Sequence, residues 1–277
     1  MKKENDYLAV GFQNVDDTQK QAFYLACLRS IDAIPYFQEV KERSYDLLKL
    51  KEAKAVLEIG CGMGADLFRM AERISDRCTL SGVDQSLFML EEAKLNPCYA
   101  QYNNLFLYHA DARSLPFESQ KFDRCRIDRT LQHISHPEKV INEVFRVLES
   151  GGICVIYDND WSTFSLSLRD SRLSRIVETY WCDAFENGRI AIELKGYLHR
   201  AGFTQITYLP STLVIEDFAT ADKLYDIEKT LFMAEKENDL TKAEVKKILE
   251  ECKEQTKEGT FLCALTSYTI SAVKESE

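Results

Sequence analysis

The sequence predicts an α/β fold built on a doubly wound, mostly parallel sheet with helices on both faces. Short apolar runs alternate with amphipathic stretches between residues 55 and 157, which is the pattern of repeated strand–helix units. The first run stops at three glycines on alternate positions, Gly60, Gly62 and Gly64, and helical spacing follows at once. Because ligands of such sheets bind at the carboxyl ends of the strands, we expect a ligand at this turn.

The alternation defines the elements in order. The predicted strands cover residues 55–59, 79–83, 105–109, 122–127, 153–157, 203–209 (extending toward 215) and 261–273. The predicted helices cover residues 65–74, 87–95, 138–148, 173–185 and 190–201, and residues 217–258 read as wholly helical, with a capping box at Thr241 and Glu244. We expect Ser150-Gly151-Gly152 to stop a helix and residues 161–170 to form a loop. Carboxylates mark four strand ends, at Asp84, Asp111, Asp128 and Asp158.

Two more helices, separated near Pro35, are expected before the first strand. They make residues 1–50 a helical cap, ahead of a strand–helix core at 51–160, a helical insertion and helix at 161–202, and the last two strands with a helical insertion at 203–277. Since no linker or low-complexity segment separates these parts, the sequence predicts a single domain over residues 1–277.

Composition limits the classes of function. The net charge of −10 argues against a nucleic-acid groove binder and against an anionic membrane surface. The nine cysteines form no C-x-x-C pair, so we expect no metal site. No apolar region follows the lysines at the start of the sequence, and no apolar run reaches 18 residues. The sequence therefore favours a reduced, cytoplasmic protein without membrane insertion, either a monomer or a homodimer.

The glycine turn suits a cofactor, because glycine permits positive φ and close backbone approach, and the following helix directs free N–H groups to the same place. Two cofactor classes use such a turn. Gly60, Gly62 and Ala65 fit a dinucleotide-binding G-x-G-x-x-G/A pattern. Glu58 with the three glycines instead fits E-x-G-x-G-x-G. The turn alone leaves both open.

Four further stretches follow this turn in order: Gly82–Ser86, His109–Phe117, Phe122-Asp123 through Leu131–His133, and Glu143-x-x-Arg146-Val147-Leu148-x-x-Gly151-Gly152. With the turn, they resemble the successive motifs of class I S-adenosylmethionine (SAM) methyltransferases, of the ubiquinone/menaquinone-biosynthesis and small-molecule natural-product type. The resemblance covers roughly residues 40–160. It implies a Rossmann-like seven-stranded sheet with the last strand antiparallel, and SAM as the cofactor.

The resemblance also implies site residues. Asp84 would bind the ribose hydroxyls, and Asp111 with the N–H of Ala112 would bind the adenine between the side chains of Met89 and Leu115. The amino-acid end would lie over Gly60 and Gly62, with Asp128 for the ammonium and Arg129 or Arg43 for the carboxylate. The predicted cofactor contacts are Glu58, Gly60, Cys61, Gly62, Asp84, Gln85, Met89, Asp111, Ala112, Asp128 and Arg129.

The predicted reaction is in-line methyl transfer to a small-molecule acceptor that is apolar or aromatic, with O-, C- and N-methylation all open. His133 is the candidate general base, with a purely structural histidine as the alternative. Tyr24, Tyr36 and Trp161 are the candidate acceptor contacts, together with Asp160. An NAD(P)-type oxidoreductase and a non-catalytic SAM-binding protein are the alternative functions. Arg124 and Arg126 depart from the family pattern, because they lie in a strand where apolar residues are usual.

Overall fold

The computed structural model describes residues 11–17 and 20–275. Residues 1–10, 18 and 19 of the predicted cap lie outside the described part. The prediction that no apolar region follows the first lysines falls on these residues. Among the residues described, no helix is long and apolar enough to cross a membrane.

Seven strands form one sheet in the order β3-β2-β1-β4-β5-β7-β6. The strands are β1 (Ala55–Ile59), β2 (Thr79–Asp84), β3 (Leu105–His109), β4 (Phe122–Asp128), β5 (Leu148–Leu166), β6 (Phe203–Ile215) and β7 (Cys263–Lys274). Strands β1 to β5 are parallel, and β7 runs antiparallel to both of its neighbours. The predicted Rossmann-like sheet is confirmed. Its winding reverses between β1 and β4, which is where a doubly wound sheet binds its ligand.

Ten α-helices surround the sheet in the described part of the chain: α1 (Gln21–Asp32), α2 (Pro35–Leu48), α3 (Ala65–Ala71), α4 (Leu87–Leu95), α5 (Pro137–Val147), α6 (Ser171–Ala184), α7 (Ile190–Ala201), α8 (Phe218–Tyr225), α9 (Ile227–Lys236) and α10 (Lys242–Glu258). Local sequence sets their ends. The Ser86 hydroxyl accepts the N–H of Met89 and caps α4, and the predicted capping box starts α10. Gly202 ends α7 at a φ of 101°.

Three predicted boundaries are wrong. Helix α5 passes directly into β5 at Leu148, so Gly151 and Gly152 lie within the strand range and do not stop the helix. The helical stretch at 217–258 is three helices, broken first at Asp226, whose φ is 57°. Residues 161–166, predicted as loop, continue β5 to Leu166.

The extension of β5 forms because β7 supplies a partner strand. Ser165 pairs with Ala264 and Leu166 with Cys263, beyond an irregularity that begins after Asp160. The polar side chains that suggested a loop are satisfied locally, since Thr163 Oγ1 donates to Asp160 O at 2.7 Å. Helices α6 and α8 to α10 pack on these long strand ends around an apolar core that includes Phe164, Trp181 and Ile248. A helical wall therefore stands beyond the carboxyl ends of the parallel strands.

Candidate active site

A cavity of about 410 Å³ opens at the carboxyl ends of β1, β2 and β4. One end lies against the glycine turn, Asp84 and Asp111, and the other end reaches the wall made by α6 and α8. This volume lies within the range of small-molecule sites. Of the predicted site residues, the cavity is lined by Gly60, Gly62, Asp84, Gln85, Met89, Asp111, Ala112, Asp128, Arg129, His133 and Trp161.

The glycine turn folds back on the end of β2. The N–H groups of Gly60 and Cys61 donate to Val83 O at 2.8 and 3.0 Å. Gly60 has a φ of 73°, and a Cβ there would lie 2.1 Å from Thr130 Oγ1. Gly62 has a φ of 50°, and a Cβ there would meet only Leu28 Cδ1, at 3.9 Å. Gly60 is therefore needed for packing, whereas Gly62 faces the open space of the cavity.

Asp84 links this turn to helix α4. Its Oδ2 accepts the N–H of Gly62 and its Oδ1 accepts the N–H of Ser86, both at 2.8 Å. Burial raises the pKa of the Asp84 carboxyl, and the two backbone donors oppose that rise. The carboxylate is thus fixed on the wall of the cavity, where it can accept hydrogen bonds from a ligand.

Asp111 lies near the mouth of the cavity, with 45% of its side chain exposed. Arg113 binds it through both Nε and Nη2, the latter at 2.7 Å from Oδ2, and this contact holds the pKa of Asp111 below its usual value. Ala112 and Met89 line the cavity beside it. Leu115, predicted as a second wall, is buried and does not line the cavity.

A network of buried charges lies beneath the glycine turn, on the side away from Asp84 and Asp111. Arg126 Nη2 donates to Asp128 Oδ2 at 2.7 Å, and Arg129 Nε donates to Asp128 Oδ1 at 2.8 Å. Lys41 of α2 pairs with Asp66 and lies 3.7 Å from Asp128 Oδ2. Burial alone would raise the pKa of Asp128, but Arg129, Lys41 and Arg126 together lower it to about 2. Asp128 is therefore an anion at the cavity wall.

The same network explains two features of the sequence. Glu58 and Arg126 are partners in the β1–β4 ladder, and Arg126 Nη1 lies 2.5 Å from Glu58 Oε1. Arg124 instead donates from Nε to Leu48 O at 2.5 Å. Glu58 and Cys61, both predicted at the cofactor, lie outside the cavity lining, with Glu58 2% exposed beneath the turn. The two arginines that depart from the family pattern, Arg124 and Arg126, are thus hydrogen-bond donors to buried polar groups.

The inner end of the cavity is aromatic. Trp161, at the extension of β5, stacks on Phe185 with ring centroids 4.1 Å apart, and Tyr225 meets its edge at 5.8 Å. Trp181 of α6 and Leu224 of α8 complete this side. A planar apolar group is well suited to such a surface.

A short helical turn, Leu131–His133, carries the polar groups of this inner end. Gln132 Oε1 accepts from Trp161 Nε1 at 2.8 Å and from Asn159 Nδ2 at 3.0 Å. The Nε2 atoms of Gln132 and His133 lie 2.9 Å apart, and the His133 ring packs between Phe12 and Phe185.

Two predicted acceptor contacts lie elsewhere. Tyr24 is fully buried against Phe12 in a small apolar cluster behind the cavity wall. The Tyr36 hydroxyl donates to Ser211 O at 3.0 Å, on β6. Asp160 and Arg43 also lie outside the cavity lining. The helical spacing of Tyr24 and Tyr36 is compatible with packing in the core and with contact to the acceptor, and it does not distinguish between these roles.

Sequence reasoning missed a strap over the outer end of the cavity. Residues 12–17 form a short helical segment, of which Phe12, Gln13, Asn14 and Val15 line the cavity. The strap is tied to α4, since Asp16 accepts the Ser86 hydroxyl at 2.5 Å and the N–H of Leu87 at 2.8 Å. Asp16 is a capping residue supplied from a distant part of the chain, which no local motif signals. Among the described residues, no group of three His, Cys, Asp or Glu side chains is arranged to hold a metal ion.

An open α/β sheet with a cavity at its switch point is typical of proteins that bind nucleotide cofactors, and comparison with known proteins identifies the family. The chain matches the methyltransferase domain family over residues 50–253, most of its length, and belongs to it. It is a SAM-dependent methyltransferase. The family therefore decides between the two cofactor classes that the glycine turn left open.

Three similarities illustrate how far the family match extends. A 37.1 kDa protein of transposon Tn4556 from Streptomyces fradiae, described as uncharacterized, is 29% identical over 250 residues, covering 90% of this chain and 70% of that protein. Demethylmenaquinone methyltransferase of Oceanobacillus iheyensis is 30% identical over 131 residues, covering 46% of this chain and 55% of that enzyme. The chain thus spans about half the length of that enzyme.

The crystal structure of YcgJ from Bacillus subtilis superimposes with a TM-score of 0.58 at 19% identity, covering 85% of this chain and all of that protein. At this identity the likeness shows the fold alone.

Proposed function

We propose that this methyltransferase acts on a small acceptor with an apolar, aromatic body, held in the inner end of the cavity. The observation that carries the proposal is the aromatic surface of Trp161, Trp181, Phe185 and Tyr225, which continues the same cavity that begins at the glycine turn. Trp181, Phe185 and Tyr225 come from helical segments outside the strand–helix core of residues 51–160, and Trp161 lies on the extension of β5 just beyond that core. The demethylmenaquinone methyltransferases, whose name states a small-molecule acceptor, are consistent with this class.

The outer end of the cavity fits SAM. Gly62 leaves open space where a Cβ would stand, and Asp84 presents a fixed carboxylate beside it. We propose that Asp84 binds the ribose hydroxyls, that Asp111 and the Ala112 N–H bind the adenine, and that Met89 packs on its ring. Asp128, an anion in the cavity wall, suits the ammonium of the amino-acid end, and Arg129 suits its carboxylate.

When bound, SAM supplies a methyl group on a sulfonium centre. The residues of this chain position the two reactants and exclude water from them, which are the main contributions a protein makes to such a displacement. The strap and α1 cover one side of the cavity, and α6 and α8 cover another. Because cap, core and C-terminal helices all line one cavity, we propose that they act together as a single methyltransferase unit.

The test is a screen with purified full-length protein. The protein is incubated with SAM and pooled quinols, phenols and aromatic amines, and mass spectrometry follows S-adenosylhomocysteine (SAH) and singly methylated products. We expect methylation of a compound with a fused or substituted aromatic ring. Methyl label that enters only RNA or protein from a lysate would contradict the proposal.

A pair of variants locates the acceptor. Leu224 lines the inner end, so Leu224→Trp is expected to fill it, lowering methylation at least tenfold while SAH affinity stays within about twofold. Leu262→Trp is the matched control, because Leu262 is 41% exposed and lies outside the cavity lining. Equal turnover by both variants would place the acceptor elsewhere.

A further inference from the structure

The side-chain amide of Gln132 connects the aromatic surface to His133. Gln132 is 5% exposed. Its backbone N–H donates to Asp158 Oδ2 at 3.3 Å, and its backbone O accepts the Asn187 N–H at 3.1 Å, so the backbone is held on both sides. A side chain that is this enclosed has a defined orientation, so its donor and acceptor ends can be assigned from their partners.

Trp161 fixes that orientation. An indole N–H is a donor only, so the group 2.8 Å from Trp161 Nε1 must be the amide oxygen of Gln132. The Asn159 contacts fit the same orientation, because its Nδ2 donates to Gln132 Oε1 at 3.0 Å while its Oδ1 accepts from Ser267 Oγ at 2.7 Å. The amino group of Gln132 is left to face His133.

The amino group then determines the tautomer of the imidazole. Gln132 Nε2 carries two hydrogens and no lone pair, so His133 Nε2, 2.9 Å away, must be the acceptor. In the neutral ring the hydrogen accordingly lies on Nδ1. A proton on Nε2 would break this hydrogen bond and leave two donors facing each other within a buried site.

We propose that Gln132 is a positioning residue that holds His133 as the Nδ1–H tautomer, and that His133 is consequently not the general base for the acceptor. A base needs a nitrogen with an available lone pair, whereas here Nε2 is engaged by Gln132 and Nδ1 already carries a hydrogen. This proposal differs from the general-base role for which the sequence makes His133 a candidate.

The inference rests on the proposed function and narrows its acceptor class. The acceptor brings a nucleophile that needs no proton removed by His133: an amine with its lone pair free, or a phenol or enol that ionises in solution before it binds.

The test reads the tautomer directly and needs neither SAM nor acceptor. Full-length protein labelled with ¹⁵N at histidine is studied by long-range ¹H–¹⁵N correlation at pH 7. His133→Asn identifies the His133 signals among those of the four histidines of the sequence. We expect wild-type Nδ1 to appear protonated and Nε2 unprotonated. A protonated Nε2 in the wild-type protein would overturn the proposal.

Two variants test the cause. Gln132→Glu keeps the shape and replaces the amino group by an oxygen, so His133 Nε2 is expected to become protonated. Gln120→Glu makes the same change of charge at an exposed position and is expected to leave the wild-type pattern unchanged. Circular dichroism confirms that each variant is folded. A folded Gln132→Glu protein with an unprotonated Nε2 would show that Gln132 does not control the ring.

A third variant removes one of the two donors to Gln132 Oε1. Trp161→Phe keeps an aromatic ring but has no N–H, so only the Asn159 amide still contacts that end of Gln132, and a mixture of both His133 tautomers is expected. A single Nδ1–H form in this variant would show that Trp161 does not set the orientation. SAH titration of the same samples is separate from these readings. Weak SAH binding with the expected tautomer would count against the proposed cofactor contacts and leave the assignment of His133 intact.

Discussion

Asp84 does two things at once, because the same carboxylate that faces the cavity also accepts the N–H groups of Gly62 and Ser86. Asp84→Ala is expected to weaken SAH binding by about 1.5–3 kcal/mol, the scale of hydrogen bonds to a charged group. Isothermal titration calorimetry measures the effect, with the exposed Asp76→Ala as control. Equal affinities for both variants would remove Asp84 from the ribose site.

Gly62 can be tested against a glycine of the same geometry. Gly62 and Gly259 both have positive φ, 50° and 70°, and neither has a neighbour closer than 3.9 Å to an added Cβ. Alanine at either position should cost about 1–2 kcal/mol of stability through backbone strain. Only Gly62→Ala should also weaken SAH binding, at least tenfold, because only Gly62 borders the cavity. Thermal unfolding and calorimetry separate the two effects. If SAH binds both variants equally, the backbone does not approach the ligand at Gly62.

The sequence was sufficient for residues whose role is local, and insufficient for those whose role depends on a distant partner. The glycines and Asp84 could be placed because each follows or ends a predicted strand within a local motif, and neighbouring parallel strands end at the same edge of the sheet. Arg126 looked anomalous because its partner Asp66 lies on α3, 60 positions earlier in the chain (126 − 66). Tyr24 and Tyr36 carry no local signal that separates a cavity wall from the packing behind it.

Among the elements, the strap of residues 12–17 closes the outer end of the cavity through Asp16. Asp16→Ala removes the acceptor for the Ser86 hydroxyl and the Leu87 N–H, a loss of about 0.5–2 kcal/mol for a helix cap. We expect SAH to dissociate about two- to thirtyfold faster, as measured by stopped-flow displacement. Asp17→Ala, at the next and exposed position, is the control. Unchanged dissociation from the Asp16 variant would show that the strap does not retain the ligand.

Strand β5 shows why some elements resist prediction. Its first part was predicted from apolar residues, but the continuation through Asn159, Asp160 and Ser162 has the composition of a turn. That segment is a strand because β7, a hundred residues later, pairs with it. Tertiary pairing outweighs local preference in such a case. Helices α4 and α7, whose amphipathic period is a local property, were predicted with the bounds that the structure shows.

For the whole molecule, stability should depend on Asp158. This carboxyl is buried within β5, and burial raises its pKa to about 7, although the hydrogen bonds from the backbone N–H groups of Asn159 and Gln132 lower it. In the unfolded chain an aspartate titrates near pH ~3.9. Between these values the folded protein holds a proton that the unfolded chain has lost. Its contribution to the free energy of unfolding therefore falls as pH rises from about 4 to about 7, by up to about 1.4 kcal/mol per pH unit.

Asp158→Asn imitates the protonated carboxyl at every pH. Its stability relative to the wild type should therefore increase between about pH 4 and 7 and level off above that range. Urea unfolding across this range measures the difference, and Asp76→Asn, at an exposed site, should differ from the wild type by a constant amount. A flat difference for Asp158→Asn would show that this group does not control the pH dependence.

The charge network under the glycine turn limits how this protein can evolve. Loss of Arg126 alone would leave Lys41 paired with Asp66 and Arg129 paired with Asp128, but it would take from the buried Glu58 side chain the guanidinium that lies 2.5 Å away. Breaking a buried ion pair costs about 3–5 kcal/mol, a large part of the ~5–15 kcal/mol that holds a typical protein folded. We therefore expect position 126 to change only together with position 58, so that related sequences keep this buried pair or replace both of its members.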